Sequence, residues 1–92
     1  MAGNLLGMDV LEIRRIGTQL QTESRNLEAL LSRVDKQVQA ARAAWLGTDS
    51  DHFVEDWQQR RSQLQSLSSR LDSLGRQAMN QADQQARVSG VA

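Results

Sequence analysis

The sequence predicts an all-α protein: an antiparallel helix-turn-helix hairpin that forms a four-helix bundle with a second hairpin on dimerisation. Three observations carry this reading. Proline is absent, glycine is the only strong breaker, and apolar residues recur at alternating spacings of three and four through most of the chain. Twelve glutamines with abundant Ala, Leu and Arg add to it, since these side chains lose little rotamer freedom in a helix. Gly3 and Gly7 lie at the start and Gly90 at the end, while Gly17 and Gly75 fall inside periodic stretches. Gly47 is left as the one break, so residues 1–92 read as a single hairpin.

The first helix is expected over about residues 9–45. Asp9 followed by Glu12 has the spacing of a capping box, and Met8 with Ile13 has that of a hydrophobic staple. Leu6, Ile13, Leu20, Leu27, Val34 and Ala41 then repeat every seventh residue, with a second row at Val10, Gly17, Ser24, Leu31, Val38 and Trp45. Together they form a heptad seam, weak at Gly17 and Ser24, where small residues either admit a close backbone or loosen the contact.

Residues 46–48 form the predicted turn. Gly47 suits the left-handed conformation that ends a helix, and Thr48 or Asp49 suits the cap of the next one. The second helix is expected over about 49–87, with Asp49 and Asp51 at its positive dipole end. Its apolar face is Phe53, Trp57, Leu64, Leu67, Leu71, Leu74, Ala78 and Ala82, interrupted by Arg60. Asp56–Arg60, Asp72–Arg76 and Asp83–Arg87 have the acid-first i,i+4 spacing of surface ion pairs. Nothing in residues 88–92 promises to hold them, and a frayed tail is expected there.

Two single-seam helices bury one face each, which rarely suffices for a domain of this size without a disulfide, a metal or a partner. The chain has no cysteine and one histidine, so the first two are excluded and a partner hairpin remains. The candidate residues of the hairpin or dimer seam are Ile13, Leu20, Leu27, Leu31, Val34, Val38, Leu64, Leu67, Leu71 and Leu74. Eleven basic residues balance eleven acidic ones, which argues against nucleic acid and anionic membranes as targets. The longest apolar run, Ala43–Leu46, is far short of the roughly 20 residues that span a bilayer. Met1-Ala2-Gly3-Asn4 also lacks the basic and apolar regions of a cleaved signal, so export by the general route is not expected.

The three aromatic residues, Trp45, Phe53 and Trp57, gather around the corner. Phe53 and Trp57 read as a plug closing the hairpin end, whereas Trp45 is the last residue before the break and is expected to leave its indole edge open. With Trp45-Leu46-Gly47 at the only break, followed by Thr48-Asp49-Ser50 and then Phe53 and Trp57, the chain resembles the WXG family of bacterial type VII (ESX) secretion proteins (early secreted antigenic target-like). The resemblance runs from about Leu5 to Arg87. It implies a secreted, non-enzymatic hairpin, cytoplasmic before export, that pairs with another WXG protein or with the WXG-like region of a larger effector such as a toxin, for which it acts as a chaperone. It also implies that Trp45 and Gly47 form one half of an export signal read by the secretion ATPase. The other half is a Tyr-Xaa-Xaa-Xaa-Asp/Glu tail, and here the chain departs from the family. It has no tyrosine, and residues Met79 to Arg87 hold one acid, Asp83. The missing half must come from the partner, which favours a heterodimer over a homodimer.

Two alternatives fit less well. A membrane-active secreted effector calls for exposed lysines and large apolar residues, where this chain offers Gln and Asp; an intracellular coiled-coil adaptor leaves the corner unexplained. His52 lies among Asp49, Asp51, Glu55 and Asp56, but capping, dipole compensation and a pair with Arg60 use those acids, and no calcium-loop spacing is present. No cofactor, metal site or catalytic residue is expected. Ten of the eleven basic residues are arginine. Arg14, Arg15, Arg25, Arg33 and Arg42 on the first helix are either a solvated face or rim contacts to a partner.

Overall fold

The computed structural model describes residues 9–45 and 47–89. Helix α1 spans Val10–Ala44 and α2 spans Asp49–Ser89. They lie antiparallel in a rod of 65 × 16 × 14 Å with a radius of gyration of 20.1 Å, against about 12 Å for a compact domain of this length. The shape follows from helix length. At ~1.5 Å per residue, 41 residues of α2 alone cover about 60 Å.

Asp9 caps α1, accepting from the Glu12 amide at 3.1 Å. The capping box closes on one side only, because Glu12 turns its carboxylate to Arg15, whose Nε donates at 2.9 Å. Met8, the other half of the expected staple, lies outside the described residues. At the far end the α2 helix continues through Val88 and Ser89, past Arg87 where fraying is expected. Ala82 and Ala86 supply the reason: both are buried against Val10, with Ile13 packed alongside, and this cluster closes the open end of the hairpin. Residues 90–92 lie outside the described part.

The buried row of α1 is Val10, Gly17, Ser24, Leu31 and Val38. Facing it on α2 are Val54, Arg61, Ser68, Gly75 and Ala82, again every seventh residue, with all but Arg61 buried. Of the expected apolar face of α2, Phe53, Leu67 and Leu74 stand outside the contact between the two helices, and the residues directly after them are buried in it.

Small residues make this phase possible. A Cβ added at Gly17 would stand 2.9 Å from the Gly75 carbonyl oxygen and 2.7 Å from Met79 Cγ; one added at Gly75 would stand 2.6 Å from the Gly17 carbonyl oxygen. The two backbones touch there, which decides between the two readings of the weak seam. One heptad along, Ser24 Oγ donates to the Ser68 carbonyl at 2.8 Å and Ser68 Oγ donates to the Ser24 carbonyl at 3.0 Å. This reciprocal pair satisfies both buried hydroxyls and pins the register of the helices.

Candidate functional site

The corner is built from α1's last residue onward. Trp45 leaves the helix in an extended conformation, and its N–H donates to the Arg42 carbonyl at 3.2 Å. Gly47 sits at φ +117°, a backbone angle that side chains disfavour. Ser50 lies in the first turn of α2. Its buried hydroxyl donates to the Gly47 carbonyl at 2.8 Å, while the Thr48 carbonyl accepts from the Asp51 amide at 3.1 Å. Arg42 and Asp51 clasp the corner from outside at 3.3 Å.

The Trp45 ring lies 5.4 Å from that of Phe53, tilted by 46°. Both stay open to solvent, Trp45 at 42% and Phe53 at 39% of full exposure. Phe53 therefore pairs with Trp45 at the surface instead of plugging the interior. Leu46 lies outside the described residues. Beneath the pair, Val54 and Ser50 fill the hairpin end.

Trp57 is half-buried and carries a polar duty that its helical spacing did not suggest. Its Nε1 donates to Asp35 Oδ1 at 2.8 Å, and Arg61 Nε donates to the same carboxylate at 2.8 Å. The indole hydrogen bond first, and then the guanidinium, hold the Asp35 carboxyl below its ordinary range. Arg61 continues to Gln65 at 3.3 Å, and Gln65 bonds Glu28 across the seam. Arg61, not Arg60, is thus the charge that interrupts the seam, and Arg60 pairs on the surface with Asp56 at 2.9 Å. A signal was available: Arg61 lies on the row 54, 61, 68, 75, 82, and a charge on a seam needs an acid on the facing helix.

The expected surface pairs divide. Asp72–Arg76 forms at 3.1 Å, but Asp83 reaches across to Arg14 at 2.9 Å instead of to Arg87. Cross-helix reach was invisible to i,i+4 counting. Arg14, Arg15 and Arg42 are spoken for inside the hairpin, and Arg25 donates to Thr22 Oγ1 at 3.3 Å. Among the described residues, no group of three or more His, Asp or Glu side chains stands close enough to hold a metal ion.

The remaining predicted residues divide by side. Leu31 and Val38 are buried between the helices. Ile13, Leu20, Leu27, Val34, Leu64 and Leu71 are half-buried along the seam's margin. Leu27, Leu30 and Leu71 line one open groove, so both helices turn their leucines to the same side. Beyond this margin Leu30, Leu67 and Leu74 are 46%, 45% and 51% exposed.

Two long helices, a corner made by Trp45 and Gly47, and a leucine row on each helix define an all-α hairpin of the Trp-Xaa-Gly type. The family model WXG100, described as proteins of 100 residues with WXG, matches residues 6–87, and the chain belongs to that family. It is a small helical protein associated with type VII secretion, in a family whose members are non-enzymatic secretion substrates that pair with other WXG-type proteins. No helix among the described residues is long and apolar enough to cross a membrane. No curated protein and no solved structure matches the chain.

Proposed function

We propose that this protein is a type VII secretion substrate or co-secreted targeting partner that docks its leucine face on a second WXG-type hairpin. That second hairpin is another small WXG protein or the WXG-like region of a larger effector. The exposed leucines at positions 30, 67 and 74 carry the reading. The accessible surface supports it: 6631 Å², against about 5,400 Å² for a compact monomer of this mass. The excess exceeds the ~800 Å² that each partner contributes to an ordinary stable interface.

In this reading Trp45 and Gly47 are presented to the secretion ATPase from the end of the bundle. The open, tilted pairing of Trp45 with Phe53 supports that role, since a ring left uncovered at a rigid corner is available to a receptor. The absence of tyrosine favours a partner that brings the tyrosine half of the signal. Trp45→Ala tests it. Export from a secretion-competent strain is expected to fall to background while co-purification with the partner persists, because Trp45 lies off the leucine face. Undiminished export of the variant overturns the role of the corner.

A further inference from the structure

Two long unbranched side chains cover the glycine waist. A Cβ added at Gly17 would meet Met79 Cγ at 2.7 Å, and one added at Gly75 would meet Gln21 Cγ at 2.7 Å. Each chain therefore lies over the glycine of the facing helix. Gln21 shares the α1 row of Arg14 and Glu28, and Met79 shares the α2 row of Gln65, so both belong to the polar side of the rod. Both are half-buried and keep an edge in water. An unbranched chain suits this place, because it fills the shallow gap above a glycine without a branch striking the next turn.

The two covers differ in chemistry. A thioether is oxidised by peroxides, whereas an amide is not. The chain has no cysteine to compete for an oxidant. Met1 and Met8 lie outside the described residues, and Met79 is the one methionine among those described. It stands where the two backbones touch.

We propose that Met79 is a modification site, converted by a hydroperoxide to the sulfoxide, and that this conversion loosens the contact between Gly17 and Gly75. With hydrogen peroxide, a lone pair on Sδ attacks one peroxide oxygen, the O–O bond breaks and an S–O bond forms. The hydroxyl transferred to sulfur gives its proton to the departing oxygen, which leaves as water. Sulfur has then lost two electrons and the peroxide has gained them.

The sulfoxide does not fit the present packing. Its oxygen is a strong acceptor, and the backbone N–H groups nearby are committed within the two helices. Its sulfur is pyramidal, so oxygen and methyl leave it in different directions, where the amide of Gln21 is flat. The waist has no spare room, since the Gly75 carbonyl oxygen stands 2.9 Å from the place of a Gly17 Cβ. The oxidised chain therefore swings into water and uncovers Gly17. Because Met79 lies on the side away from the exposed leucines, a partner docked on them leaves it open to the oxidant, and the inference does not depend on that docking.

Hydrogen peroxide on the full chain tests it. Peptide mass mapping is expected to find one oxygen added at Met79. The urea midpoint is expected to fall, with the unfolding equilibrium constant raised about tenfold, as for a buried polar group that lacks a partner. The two sulfoxide reductases specific for each epimer are expected to restore it. Met79→Leu, apolar and inert, is expected to hold its midpoint through the same treatment, although Met1 and Met8 are still oxidised in it. A Met79 left unmodified while Met1 and Met8 react overturns the site. Complete oxidation of Met79 with an unchanged midpoint overturns its effect on the waist. So does a Met79→Leu variant that loses as much stability on treatment, or a parent chain that stays weakened once Met79 is reduced. The reductase measurement uses the parent chain, so it decides even where the branched leucine lowers the starting midpoint.

Discussion

Asp35 shows how much one side chain can organise. It accepts from the Trp57 indole at 2.8 Å and from Arg61 at 2.8 Å, and so ties the last third of α1 to the start of α2 just below the corner. Both donors favour the ionised carboxylate, so its folded pKa lies below the ~3.9 of an unfolded aspartate. Its contribution is therefore fully present above that unfolded value and is lost as pH falls through the lower folded one. In a Trp45→Phe background, Trp57 fluorescence is expected to change on acidification below about pH 4, and Asp35→Asn is expected to abolish that step. An unchanged acid titration in the Asn variant contradicts the assignment. Arg15 likewise lowers the Glu12 carboxyl at the other end of α1, but Glu12 has no tryptophan to report it.

At the scale of the helices, the contact is decided by its smallest residues. A hairpin seam usually takes the largest apolar side chains, yet here the closest approach is glycine on glycine and serine on serine. Alanine is the better helix former by about 1 kcal/mol per residue. Gly17→Ala with Gly75→Ala is nevertheless expected to destabilise the hairpin by about 1–3 kcal/mol, because each new Cβ meets a facing carbonyl oxygen below 3.0 Å and the backbones must part. Urea unfolding of the double variant checks this, and a rise in stability would show that the helices are not held at this distance.

The whole molecule is a thin rod with one polar side and one leucine side. Arg14–Asp83, Arg61–Asp35 and Gln65–Glu28 bridge the helices along the first; Leu30, Leu67 and Leu74 stand open along the second. Asymmetry of this kind follows from the glycine and serine waist, which occupies the seam and leaves the leucines outside it. Leu67→Asp with Leu74→Asp is expected to change the stability of the isolated hairpin by no more than about 0.5 kcal/mol per site, since both are surface positions. The same variant is expected to lose pairing with a WXG partner. Circular dichroism and co-purification read the two effects separately, and retained pairing places the interface elsewhere.

Much was legible in the sequence because it depends on local chemistry. Absent proline and the heptad rows specify two long helices, Gly47 specifies the break, and Trp45-Leu46-Gly47 at that break specifies the family. Those properties belong to residues within a few turns of one another, so periodicity and capping rules reach them. Tertiary structure decided the rotation of each helix about its own axis. Counting apolar residues put Leu67 and Leu74 on a hairpin or dimer seam without choosing between the two, whereas backbone contact between Gly17 and Gly75 turns Ser68 and Ala82 toward the facing helix and leaves those leucines outside the hairpin contact. The same rotation brings Asp83 to Arg14 instead of Arg87, and Asp35 to Trp57 and Arg61. A spacing rule sees one helix at a time, and the phase between two helices is set only when both surfaces meet.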